Sequence, residues 1–175
     1  MNHNTLLEII KSRRSIRKFK SHEVPKDKIR SILEAGCWAP SFANSQPWNF
    51  IVVDDPALKE RMFLATAHHE ILEAPASIIV TVDPEKDMVH HILDGANATM
   101  NMLLMAHYLK LGAVWVGVLG LKAEDLVKEA LNIPPNIRVI SIIPIGEAAE
   151  FPSSTRKNLE ELVFWNTYGF GGFLP

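Results

Sequence analysis

A single cysteine, Cys37, among 175 residues excludes an intrachain disulfide and cannot build a thiolate zinc cluster alone. No apolar run reaches the roughly 18 residues that would read as a membrane span. The opening MNHNTLLEIIKSRRSIRKF lacks the apolar core and small-residue cleavage pattern of a secretory signal, so the chain is expected to be cytoplasmic. Excess charge is missing as well. Eighteen Lys and Arg against 20 Asp and Glu leave a formal -2, which gives no global attraction to nucleic acid or an anionic membrane. No GxGxxG follows a first strand, which removes the dinucleotide-fold reading, and no HExxH is present. The pairs His68-His69 and His90-His91 do not replace it, because helix neighbours point about 100° apart. No metal site is expected.

What is present suits a soluble globular domain: 47% hydrophobic and 22% charged residues are enough to bury one core over 1–175. The charge is uneven. Residues 1–30 are rich in Lys and Arg, whereas 54–94 are rich in Asp and Glu, so a nearly neutral chain carries a basic first segment. Apolar spacing predicts a short helix over 6–11 capped by Asn4 or Thr5, then a second from Pro25 that Pro40 stops. The stretch APSFANSQPW at 39–48 is a loop. Strands are expected at 49–53, 77–82, 113–118 and 139–145, and helices at 57–67, 86–110 and 123–131. The 86–110 helix is apolar on nearly every side, which points to a place inside a core or between two chains. Residues 151–175 hold Phe164, Trp165, Tyr168 and Phe170 without regular periodicity, as an arm packed on a second subunit would. Alternating helices and strands with few tight hairpins predict an α/β or α+β sandwich.

Arg13, Arg14, Ser15 and Arg17 fall within five residues. Arg13 and Arg17 would share a helix face, and paired guanidiniums with a hydroxyl suit a phosphate. A solvated basic run at a helix end explains the same residues. Cys37 reads as a small buried hydrophobe, Trp48 as core packing, and Asp94 as a cap or structural pair. Asn44 either faces a ligand or caps a turn.

SRRSIRKF followed by WAPSFANSQPWNF resembles the FMN-dependent nitroreductase family. APASIIV at 74–80, Asp94-Gly95, LGAVWVGVLG at 111–120 and IIPIG at 142–146 extend the likeness in order along nearly the whole chain. The resemblance implies an α+β three-layer α-β-α sandwich with a mainly antiparallel sheet, dimerising through the long helix and the C-terminal arm. It implies FMN at the interface of a homodimer, reduced by NADH or NADPH, and ping-pong hydride transfer through flavin N5 to a quinone-like, nitroaromatic or other small conjugated acceptor. On this likeness Arg13, Arg14, Ser15 and Arg17 hold the phosphate and ribityl chain, joined by Arg156 and Lys157. Pro40, Ser41, Phe42 and Asn44 face the flavin, often from the other subunit, and His69 lies where the family has a polar group. Gly117, Val118, Leu119 and Gly120 bring backbone to the N5 and O4 edge, with Leu119 and Gly120 nearest N5. Leu119 stands where many members carry an acid. No side-chain acid or base is required of such an enzyme. The alternatives are a flavin-binding or storage dimer without turnover, and a specialised flavin dehydrogenase of the same fold.

Overall fold

The computed structural model describes residues 3–169; Phe170 and the rest of the expected arm, 170–175, lie outside the described residues. Helix α1 (His3–Ser12) leads into α2 (Lys26–Cys37), and a 3-10 turn (Phe42–Asn44) precedes β1 (Trp48–Val53). Then come α3 (Pro56–Thr66), a single turn α4 (Glu70–Glu73), β2 (Ala76–Val82), α5 (His91–Tyr108), β3 (Gly112–Ala113), α6 (Lys122–Leu131) and β4 (Arg138–Gly146). The four strands lie in the order β1-β2-β4-β3, every neighbouring pair antiparallel. Among the described residues no helix is long and apolar enough to cross a membrane.

Local signals set the ends of the elements. Asp55 Oδ1 accepts the Leu58 N–H at 2.9 Å, and Pro56 opens α3, where its missing donor costs nothing. Left-handed Ala67 and Asn132 close α3 and α6. Strand β2 is buried at every position, as a central strand covered on both faces should be. Against one face pack α2 and α5, where Ile32, Ala98 and Met102 meet Ile78, Val80 and Val82. Met62 of α3 and Val127 of α6 cover Ile79, Val139 and Ile142 on the other. The three-layer sandwich with an antiparallel sheet is therefore present.

A bulge opposite Val80 and Thr81 leaves Ile140 as the extra residue of β4, and both Ile140 and Ser141 turn toward α5. The Ser141 hydroxyl meets Thr99 Oγ1 at 2.8 Å inside the core. Alongside, a Cβ on Gly95 would stand 2.6 Å from Ile140 Cγ1 and 2.8 Å from Val82 Cγ1. Gly95→Ala is therefore expected to destabilise the fold by about 1–3 kcal/mol through overpacking, read as a lower thermal midpoint.

Four sequence expectations are corrected. The strand expected at 113–118 is only Gly112–Ala113 plus one bridge, Val116 to Ile142, which keeps the register of β3 against β4, and the pairing ends there. The 86–110 helix begins at His91, since turns occupy the residues after Asp83-Pro84. Helix α1 already includes His3, so Asn4 and Thr5 lie within it and do not cap it. Cys37 is exposed: it sits on the outer side of the last α2 turn, beside Trp38, which is 81% exposed. Trp48 is buried, as expected.

Candidate functional site

The segment after α1 is stitched to the edge of the sheet. Ser15 pairs with Ala113 in a parallel bridge, and the Ile16 N–H donates to Ala113 O at 3.0 Å. This fixes Arg13 and Arg14 over a 390 Å³ cleft that also takes Ser12, His107, Lys110 and Phe151. Among the described residues no carboxylate lines it. Burial first, then the charges of Arg156 and Arg14, push the Arg13 guanidinium below its ordinary value. Arg14 and Arg156, expected to act together with Arg13, thus both bear on its charge. Like charges gathered in this way favour an anion beside them.

The members differ in freedom. Arg14 Nη1 donates to Lys11 O at 2.7 Å and Arg13 O at 2.8 Å, so this side chain also caps the end of α1. Arg156 Nη1 donates to Ser154 Oγ and Thr155 O within its own exposed loop. Arg17 is exposed and anchored by its backbone, whose N–H donates to Glu150 Oε1 at 2.6 Å. Lys157 is exposed and is not among the residues lining the cleft.

The expected flavin loop stands at the other end of α5. The Phe42 N–H donates to both Asp94 oxygens, at 3.3 and 3.2 Å, and the Ser45 hydroxyl to Oδ2 at 3.4 Å. Asn97 Nδ2 donates to Pro40 O at 3.4 Å, Ser41 Oγ accepts the Gln46 N–H at 3.1 Å, and the Phe42 ring stacks on His90 at 4.2 Å. These ties hold three non-glycine residues, Ala43, Asn44 and Gln46, at positive φ. Such strain persists only where surrounding contacts over-determine the backbone. Asp94 is a structural anchor, as its position suggested. With about 1.5 Å of rise per residue, Asp94 and His107 stand about 20 Å apart along α5.

In the third expected segment, the N–H groups of Gly117, Val118 and Leu119 take no protein partner among the described residues. The donor expected at Gly120 is committed elsewhere, because its N–H donates to Glu124 Oε2 at 2.8 Å. Glu124 is buried on α6 and also accepts Arg138 Nε and Nη2 at 2.8 and 2.9 Å and the Val139 N–H at 3.0 Å. Burial alone would raise this carboxyl. Hydrogen bonds from Arg138, Gly120 and Val139 outweigh it and hold the group at about 2.

His69 starts α4 with its ring 4.7 Å from Phe63 and is not among the residues lining the arginine cleft. His68 pairs with Glu70 at 3.0 Å, and His91 Nδ1 meets Asp87 O at 2.7 Å. Glu124 and His107 escaped the sequence reading. The i, i+4 spacing of Gly120 and Glu124 was visible, but nothing in the pattern marked that acid as buried.

A family model described as the nitroreductase family matches residues 10–75 and 64–147. A protein of Methanothermobacter thermautotrophicus, provisionally named NADH dehydrogenase/NAD(P)H nitroreductase, is 37% identical over 153 residues, which span 85% of this chain and 80% of that one. A solved structure from Parabacteroides distasonis with the same provisional name superposes with a TM-score of 0.91 at 31% identity, covering 95% of this chain and 100% of that one. An FMN-dependent nitroreductase from Clostridium difficile R20291 gives a TM-score of 0.83 at 32% identity, covering 93% and 99%.

Proposed function

Because this chain belongs to the nitroreductase family, we propose that it is an NAD(P)H-dependent FMN oxidoreductase that passes hydride by ping-pong exchange to a small conjugated acceptor such as a quinone or nitroaromatic. The observation that carries the cofactor to this chain is the cleft that Arg13, Arg14 and Lys110 line with no acid among the described residues, with the charge of Arg156 acting on Arg13 from outside the lining. A phosphate dianion supplies the charge this cluster lacks, and the guanidinium fork matches its oxygens. Arg13 and Arg156 would hold that phosphate, with Ser15 and Arg17 of the same stitched segment near the ribityl chain. Bound FMN would supply a hydride acceptor and donor at N5.

The rest of the chemistry asked of the protein is placement. The N–H groups of Gly117, Val118 and Leu119 are available to donate to a ring edge that gains negative charge. Neither nearby buried carboxylate is free as an acid or base: Asp94 is engaged by the Phe42 loop and Glu124 by Arg138. That agrees with a reaction needing position and access rather than a side-chain proton donor.

A homodimer supports the same reading. The Phe42 loop and the arginine cleft lie at opposite ends of α5, so two copies paired with these helices antiparallel would bring one copy's loop to the other's cleft. Exposed Leu6, Leu7, Ile10, Trp38 and Tyr108 beside a 580 Å³ apolar groove between α1, α2 and α5 supply a face to bury. The exposed Phe151, Trp165 and Tyr168 of the tail suit an arm laid on the partner.

The test is an FMN-reconstituted sample titrated anaerobically with NADH and NADPH. Flavin absorbance near about 450 nm should bleach with one nucleotide and return on adding a quinone or nitroarene. Stoichiometric FMN that stays oxidised would move the function to flavin binding without turnover. Failure to bind FMN would overturn the proposal.

A further inference from the structure

His107 stands in the last turn of α5 and lines the arginine cleft with Ser12, Arg13, Arg14 and Lys110. Its Nε2 lies 2.8 Å from Ser12 Oγ. The serine hydroxyl has one hydrogen, and Glu8 O takes it at 2.6 Å. Oγ therefore faces the ring as an acceptor, and Nε2 must carry a hydrogen. The neutral ring is thus the Nε2–H tautomer, and Nδ1 is the atom left to accept a second proton.

Among the described residues, the charged groups that act on this ring are all of one sign. Lys110 follows on the end of α5, Arg13 and Arg14 come from the segment after α1, and Arg156 of the tail lies beside Arg13. The acids next along the chain are engaged elsewhere: Glu147 with Lys20 and His22, Glu150 with the N–H groups of Arg17 and Lys18. Burial first, then Lys110, Arg13 and Arg14, push the imidazole below its ordinary value. The ring is therefore neutral at pH 7 while the cleft lacks an anion. A dianion placed among these groups reverses the field that the ring feels, and the protonated form then gains a partner.

We propose that His107 is a further member of the phosphate site which takes up a proton when a phosphate dianion enters the cleft, making cofactor binding proton-linked. This rests on the reading that the cleft takes the FMN phosphate. The sign follows from linkage. A ring whose pKa is raised by the ligand adds affinity that is complete below its ligand-free pKa and is lost as pH rises through its ligand-bound pKa. Each unit of that rise corresponds to about tenfold in affinity. The phosphate itself, with a second pKa near about 6, works in the opposite sense, since binding its dianion releases protons.

Titration calorimetry of the full-length apoprotein with FMN at pH 7, in two buffers of different ionisation enthalpy, reads the proton count directly. The expected result is net uptake on the order of a few tenths of a proton per FMN. His107→Gln, whose amide can still donate to Ser12, should bind FMN severalfold more weakly with that uptake gone. Ring-nitrogen resonances of the wild-type protein give a second reading, with one histidine gaining a proton at Nδ1 on addition of FMN. FMN binding without uptake, or with the same uptake in the glutamine variant, overturns the role of His107 and leaves the flavin reading intact. No FMN binding at all overturns both.

Discussion

Arg13→Ala is expected to lower FMN affinity by about ten- to a hundredfold, since a charge-assisted hydrogen bond contributes about 1.5–3 kcal/mol. The flavin that remains bound should be reduced by NAD(P)H at close to the wild-type rate. Arg13 is half-buried among cations, and among the described residues no carboxylate lines its cleft, so its removal strands no buried anion there. Folding stability without FMN should hold or rise slightly as repulsion with Arg14 and Arg156 is relieved. Arg13→Lys should recover part of the affinity, because it restores charge without the planar fork. Quenching of FMN fluorescence on binding measures the first effect, and stopped-flow reduction the second. Full flavin occupancy with no reduction would place Arg13 in the chemistry instead and defeat the assignment.

Glu124→Ala should cost about 3 kcal/mol, near the low end for breaking a buried pair because Arg138 still reaches solvent. It strands the N–H groups of Gly120 and Val139 as well as the guanidinium. For a chain of this size the thermal midpoint should fall on the order of 10 °C. The pH dependence follows from the depressed carboxyl. Its contribution is complete above the ordinary glutamate range and is lost as pH falls toward about 2. The stability gap between wild type and Glu124→Gln should therefore close on acidification, which urea unfolding at several pH values would follow. A gap that is constant with pH would mean that packing of the side chain, not its charge, holds the turn.

Much of the sandwich was legible because its signals are local. Asp55-Pro56 announces α3, and a β-branched stretch bounded by Pro75 and Asp83-Pro84 announces the strand β2. The short β3 was not legible, since Val114, Val116 and Val118 alternate like a strand and pack with the α3 and α6 layer, yet past Ala113 the pairing with β4 thins to one bridge at Val116 and stops. Arg13 and Arg14 could be picked out by charge and likeness to a family, but their meeting with Arg156 depends on how the tail returns. His107 was hidden by its neighbours in sequence: on an apolar helix it looks like core, and its partner Ser12 lies far up the chain. Cys37 shows the reverse error. The apolar character of Cys37 suggested an interior, whereas a single chain leaves it at its surface beside a likewise exposed Trp38.

Helix α5 carries Asp94, which anchors the Phe42 loop, near one end and His107 near the other. The helix thereby acts as a spacer with a fixed phase. At about 3.6 residues per turn, one residue inserted between those positions would rotate one end against the other by about 100°. A shift of about 1.5 Å along the axis would accompany it. Core packing alone could absorb such a change by local bulging, but the loop anchor and the cleft wall, mounted on one rod, could not both keep their orientation. Length variation should therefore be tolerated in the loops around this helix long before it is tolerated within it.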